Sequence, residues 1–254
     1  MKITVTNINM FEQMLSMIQN FGIPSCKFNV NKTGFKIGAI TDSKTFRVIV
    51  NGTFLKIKDN EKADDITFCV SDIKKLSRAL LLPKLYDMNT IELDYDVQSL
   101  GWENNSSFNL ILTREDIIAG YVVPVETKQV ITSTFSFVTN SDTIKNIIKF
   151  ADTICSTETS LVYIYNNNNK VMCEIADKKN KSTDTLKMPV GKDLDGIFDT
   201  PLVIAYNEFK SIGMLNSDNI KINNTNKNVL DIYTSEINES DSINNRVIIS
   251  QLKG

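Results

Sequence analysis

The 254-residue sequence contains no histidine. That absence removes the commonest general base, the Ser-His and Cys-His nucleophile pairs, and every His-ligated metal site. Acid-base chemistry would have to come from Asp, Glu, Lys or Tyr. Two acidic stretches, Asp59 to Asp65 and Asp193 to Asp199, are dense enough to attract a divalent cation. The second lacks the D-x-D-x-D-G order of a calcium loop, and both read as solvated turns. Cys26, Cys69, Cys155 and Cys173 are scattered without a C-x-x-C pair. They read as small buried apolar side chains in a reducing compartment, not as zinc ligands or a redox couple. Gly191-Lys192 lacks the upstream glycine and the following hydroxyl of a phosphate loop, and no G-x-G-x-x-G run occurs. No cofactor and no metal are expected, and the residue types point to a non-enzymatic binding or scaffold protein.

Composition sets the frame in which those residues must sit. Hydrophobic residues make up 42% and charged residues 23%, with 28 basic against 30 acidic side chains. That supports a sizeable buried core and excludes a disordered chain. The N-terminal residues lack a charged-then-apolar leader pattern, and no window approaches the about 18 apolar residues of a membrane span. The expected setting is the cytoplasm, or the host cytoplasm if the protein is viral, with no membrane partner.

The chain repeats itself at about half its length. Thr6-Asn7 and the stripe Phe11, Met14, Leu15, Ile18 have a counterpart 133 residues on, in Thr139-Asn140 and Ile144, Ile147, Ile148, Ala151; Met17 and Phe150 coincide in phase. Ile40 to Lys44 echoes Ile175 to Lys179 at a shift of 135, each after two strand-like runs joined by a polar turn: Lys27 to Val30 and Phe35 to Ile40, then Leu161 to Tyr165 and Val171 to Ile175. Val70 to Leu76 matches Tyr206 to Ile212 at a shift of 136, a second short helix opened by Ser71 or Asn207.

Each half therefore reads strand, helix, strands, helix, strands. Further strands are expected at Phe46 to Ile57, Ile66 to Cys69, Thr90 to Tyr95 and Phe108 to Thr113. The second half adds Ser133 to Val138, Thr183 to Met188, Pro201 to Ala205, Ile220 to Ile222, Val229 to Tyr233 and Arg246 to Leu252. Two short helices cannot supply the crossovers of a parallel sheet. The fold class is α+β: two duplicated domains, 1–127 and 128–254, joined by a connector over about 114–131. Each has antiparallel sheets and two helices. Trp102, beside Gly101 and Asn104, reads as a partly packed loop residue.

This layout resembles the DNA polymerase sliding clamps, and more closely the two-domain clamps of tailed bacteriophages. The most specific stretch is in the second half. There Leu161 to Tyr165, a polar turn, Lys170 to Ile175 and the glycine-aspartate loop Met188-Pro-Val-Gly-Lys-Asp-Leu-Asp-Gly196 lead into the last helix. The resemblance covers essentially the whole chain. It implies a homotrimeric closed ring whose helices line a hole around double-stranded DNA, held without sequence preference, with the replicative DNA polymerase and the clamp loader as partners. Topological closure retains such a ring while its DNA contacts stay weak.

The charge pattern gives that implication residues. On the second helix Ile73, Leu76 and Leu80 face inward, and Lys74, Lys75 and Arg78 lie about 100° to 200° away. Lys145 and Lys149 hold the same arc of the third helix; Lys84 and Lys210 extend the group. These seven are the expected DNA-facing residues. The first helix departs, presenting Glu12, Gln13 and Ser16. The resemblance also implies a pocket for partner peptides, here Ile40, Ile117, Ile118, Tyr121, Val122, Val247 and Ile249. It further implies pairing between subunits of Phe108 to Thr113 (Phe108, Leu110, Leu112) with Thr183 to Met188 (Thr183, Thr185, Lys187). Two other readings stay open: a β-rich phage decoration or tail protein, and a monomeric processivity factor of the same fold that does not encircle DNA.

Overall fold

The computed structural model describes residues 1–41, 46–59, 61–114, 118, 133–155, 159–168, 170–177, 184–198, 200–225, 229–238 and 241–250. Two compact units emerge: Met1–Thr127 with Ser235–Asn245 (unit 1), and Lys128–Thr234 with Arg246–Gly254 (unit 2). Residues 235–245 belong to the second half of the sequence and pack with the first.

Unit 1 contains β1 (Lys2–Val5), α1 (Ile8–Asn20), β2 (Cys26–Asn31), β3 (Phe35–Ile40), β4 (Phe46–Gly52), β5 (Leu55–Ile57), β6 (Asp65–Val70), α2 (Ile73–Lys84), β7 (Ile91–Asp96), β8 (Ser99–Glu103) and β9 (Ser107–Ile111). Unit 2 contains β10 (Ser133–Thr139), α3 (Ser141–Ile154), β11 (Leu161–Asn167), β12 (Lys170–Ala176), β13 (Leu186–Gly196), β14 (Leu202–Ala205), α4 (Tyr206–Gly213) and β15 (Ile220–Thr225). β16 (Val229–Asn238) and β17 (Asp241–Ser250) each give residues to both.

In unit 1 one sheet runs β5-β1-β7-β8-β9 and another β6-β2-β3-β4, with β17 beside β4. Unit 2 repeats most of these pairings. β11 takes the place of β2 between β14 and β12, and β10 takes the place of β1 between β13 and β15. The long β13 does the work of both β4 and β5: its first part pairs with β12 and its second with β10. The strand pairings above are all antiparallel, in keeping with the alternation of buried and exposed residues along the strands.

The helices start where the sequence dictates. Asn7 Oδ1 accepts from Met10 N at 3.0 Å, and Asn140 Oδ1 accepts from Thr143 N at 2.7 Å, so the two caps stand 133 residues apart and do the same work. Such a cap stabilises its helix by about 1 kcal/mol. α1 stops at Gly22, which adopts φ 73° and donates to Gln19 O. α1 packs on α2, and α3 on α4. In unit 1 the core is aromatic: Phe11 lies 6.2 Å edge-on to Phe28, which stacks on Phe68 at 4.8 Å. Burying each ring contributes about 1.5–3 kcal/mol. Unit 2 uses Ile144, Ile147 and Ala151 against Val162, Ile164 and Ile175 instead.

Several sequence expectations change. The second helices begin after Asp72 and Ala205, not Ser71 and Asn207, so cap to cap they too lie 133 residues apart, not 136. Asp72 Oδ1 accepts from Lys75 N at 3.0 Å, whereas Ala205 has no polar side chain and Glu208 reaches back to accept its N–H at 3.2 Å. Phe46 to Ile57 breaks at Thr53-Phe54 into β4 and β5. The glycine-aspartate loop is not a loop but the middle of β13, and Asp193 and Asp195 lie in that strand. Trp102 sits in β8, 4% exposed, between Tyr86 and Phe108 at 6.5 and 6.1 Å. All four cysteines are buried free thiols, and burial pushes Cys173 up to about 12, which leaves it protonated and unreactive. No described helix is long and apolar enough to cross a membrane.

Candidate nucleic-acid interface

α2 is set by its buried stripe. Ile73, Leu76 and Leu80 have no exposed surface and Pro83 is buried, which turns the opposite arc outward. That arc carries Lys74, Lys75 and Arg78, all exposed, and their side chains make no ion pair among the described residues. No Asp or Glu occurs within the helix. Lys84, at its end, is half-buried and paired with Glu12 of α1 at 2.5 Å. The outward positions of α1, namely Asn9, Gln13, Ser16 and Asn20, are polar and uncharged.

In unit 2 the expected cations are present but accompanied. Lys145 and Lys149 are exposed on α3, in one stripe with the exposed Asp142 and Asp152. Lys145 Nζ donates to Asn216 Oδ1 at 3.2 Å. Lys210 of α4 pairs with Asp152 at 3.1 Å and lies 5.3 Å from the Tyr206 ring centre. Tyr206 donates to the same carboxylate at 2.9 Å, and burial with that bond raises its pKa. Exposed pairs of this kind stabilise a fold by at most about 1 kcal/mol; their effect here is on local charge. The two aspartates were overlooked in the sequence, although their spacing of three residues from each lysine placed them on the same face.

Four of the expected peptide-pocket residues lie among the described residues. Ile40 is half-buried at the end of β3, and Ile118 is half-buried. Val247 and Ile249 have no exposed surface, so they are core residues and offer a peptide nothing to touch. Ile117, Tyr121 and Val122 lie outside the described residues. An open polar hollow of about 510 Å³ does exist in unit 1, lined by Asn29, Lys36, Asn51 and Asn244 among others, and none of the expected residues lines it.

The strand edges are more informative. β9 pairs with β8 and forms one edge of its sheet. Phe108 and Leu110 are half-buried on it, and Leu112 beyond it is buried. β10 pairs only with residues 192–196 of β13, so residues 186–190 have β12 as their one partner strand among the described residues. Thr185 and Lys187 are exposed there, Lys187 paired with Glu174 at 3.3 Å; Thr183 is outside the described residues. Exposed apolar groups occur on the elements that flank these edges: Leu81 on α2, Leu85 and Tyr86 just after it and Ile111 at the end of β9 in unit 1, Phe150 and Ile154 on α3.

No protein-family model matches the sequence, and no curated protein matches it. Solved structures do match, over nearly their whole length. Proliferating cellular nuclear antigen (PCNA) from Entamoeba histolytica aligns with a TM-score of 0.72 at 14% identity, over 99% of this chain and 98% of that chain. A chain of the PCNA2–PCNA3 complex from Sulfolobus tokodaii aligns at 0.70 and 13% identity, over 99% of both chains. PCNA from Thermococcus kodakaraensis gives 0.69 and 17%, again over 99% of both. This chain has the fold of those PCNA sliding clamps, two antiparallel sheet-rich domains with few short helices.

Proposed function

We propose that the protein is a DNA sliding clamp: a homotrimeric ring that encircles duplex DNA and tethers a replicative polymerase as its processivity factor, without catalysing a reaction. One observation carries this reading. In unit 1, β4 has β3 on one side and β17 on the other. The counterparts of β4 and β17 are residues 186–190 of β13 and strand β9, and each of these has one partner strand among the described residues. The same pairing, made once inside the chain, is available once more between copies. An unsatisfied strand edge is an invitation to pair, and head-to-tail pairing closes into a ring when the rotation between copies divides a full turn, as the proposed trimer requires.

The apolar side chains beside those edges, Phe150 and Ile154 on one and Leu81, Leu85 and Ile111 near the other, are what a neighbouring copy would cover. The basic arc on α2 suits a sequence-blind phosphate contact, and the clamp loader and polymerase would be its protein partners. A tailed-bacteriophage origin belongs to the same proposal and rests on layout.

Primer extension on primed circular DNA with the cognate polymerase and loader tests the function. Addition of the protein is expected to lengthen the products of a single binding event. Unchanged product length with a functional polymerase and loader would leave a structural role as the better reading.

A further inference from the structure

We propose that this chain contacts duplex DNA through α2 alone, by Lys74, Lys75 and Arg78, and that α3 and α4 present a surface on which acidic and basic groups nearly cancel. This rests on the clamp reading and narrows it.

The argument is one of compensation. Lys74 and Arg78 are four residues apart and Lys75 and Arg78 three, so the three cations crowd one face of one helix. Like charges at these spacings repel and destabilise a helix. The one carboxylate beside them, Asp72, is engaged as the N-cap and accepts from Lys75 N at 3.0 Å, α2 itself holds no acidic residue, and the three side chains make no ion pair among the described residues. A phosphate backbone brought to this face relieves the repulsion and meets no carboxylate beyond that cap on the helix.

α3 is built the opposite way. Asp142 stands three residues before Lys145, and Asp152 three after Lys149, so each exposed lysine has a carboxylate as helical neighbour. Asp152 also holds Lys210 at 3.1 Å, and Asn216 holds Lys145 at 3.2 Å. Within a Debye length of about 8 Å at physiological salt, a phosphate approaching any of these lysines also faces an aspartate. Lys84 is taken by Glu12, and the outward face of α1 is uncharged. Of the seven cations that the sequence proposed, three make no ion pair among the described residues, and they lie within five residues of one helix.

The test compares two triple variants, Lys74→Gln/Lys75→Gln/Arg78→Gln and Lys145→Gln/Lys149→Gln/Lys210→Gln, by fluorescence anisotropy with a short duplex at several salt concentrations. All substituted positions are at the surface or half-buried, and thermal melting with native mass checks that each variant keeps the wild-type fold and assembly. Each phosphate contact contributes about 0.9 to the slope of log affinity against log salt. The α2 variant is expected to lose about 3 from that slope and the unit 2 variant to keep the wild-type value. Equal losses in both, or a loss in the unit 2 variant alone, would overturn the assignment to α2 while leaving the clamp intact. A wild-type protein with no affinity for the duplex at low salt would overturn this inference, whereas the clamp reading falls only if primer extension with the loader is unchanged as well.

Discussion

Met17 and Phe150 occupy the same place in the two units, 133 residues apart, and so do Phe21 and Ile154. In unit 1 the pair is 5% and 4% exposed; in unit 2 it is 50% and 44% exposed. Phe21 packs against Phe46 at 5.4 Å. The same helix end is thus part of a core in one unit and an apolar surface in the other. A duplicated domain need not use its repeated positions for the same purpose. On the proposed ring, unit 1 buries this helix end within the chain and unit 2 leaves the equivalent one for another copy.

The largest effect should come from breaking this difference. Met17→Asp puts a charge into a packed core and is expected to cost about 3 kcal/mol or more, seen as a lower melting temperature. Phe150→Asp with Ile154→Asp should leave monomer stability within about 1 kcal/mol, because both positions are already wet, and should abolish self-association by native mass. A core-sized loss of stability at Phe150 would erase the distinction.

A smaller effect separates two glycines. Gly196 ends β13 at φ 90°, and a Cβ there would stand 2.4 Å from Thr134 O; Gly22 ends α1 at φ 73° with nothing within 4 Å. Gly22→Ala is expected to cost about 1 kcal/mol, the left-handed backbone penalty alone. Gly196→Ala should cost about 1 kcal/mol more than that, because the β10–β13 pairing has to open. Denaturant midpoints of the two variants make the comparison.

The smallest effects sharpen the contrast between the caps of α2 and α4. Asp72→Ala is expected to cost about 1 kcal/mol. Glu208→Gln should cost close to nothing at neutral pH, since its amide oxygen can still accept from Ala205 N. Burial raises the Glu208 pKa above 4.5, against a smaller lowering by that backbone bond. A raised carboxyl pKa means the folded state binds the proton more readily, so Glu208 adds stability below about 4.5 and loses it as pH rises through the raised value. The Gln variant should lack this acid-side gain. Parallel stability-pH curves for wild type and variant would contradict the assignment.

The duplication was legible because the first helices share real physics: an asparagine cap and an apolar stripe at the same phase, at Asn7 and Asn140. The second pair was misaligned by three residues because Ala205 carries no polar flag, and the nearby Asn207 resembled a cap. The sequence reads as a strand only up to Met188 and as a loop from Met188 to Gly196, because Asp193, Asp195 and Gly196 are turn-prone types; pairing with β10, through a register shift between Ser136 and Val138, holds them in a strand. β8 was missed because Ser99-Leu-Gly-Trp-Glu103 is short and contains a glycine, although Leu100 and Trp102 alternate inward. Within the candidate site, type and phase identify the lysines and spacing alone puts Asp142 and Asp152 on their face, whereas the pairing of Lys84 with Glu12 and of Lys210 with Asp152 joins different helices and shows only with the side chains in place. Apolar strand residues such as Val247 look alike in a pocket and in a core until their burial is known.

Native mass spectrometry of the protein over a range of concentrations tests the central claim most directly. Two strand edges, β9 and residues 186–190, left open in each chain and complementary by the chain's own internal example, predict a closed species at three times the 28.6 kDa chain mass, lost when Phe150 and Ile154 are both Asp. A chain that stays monomeric at every concentration would contradict it.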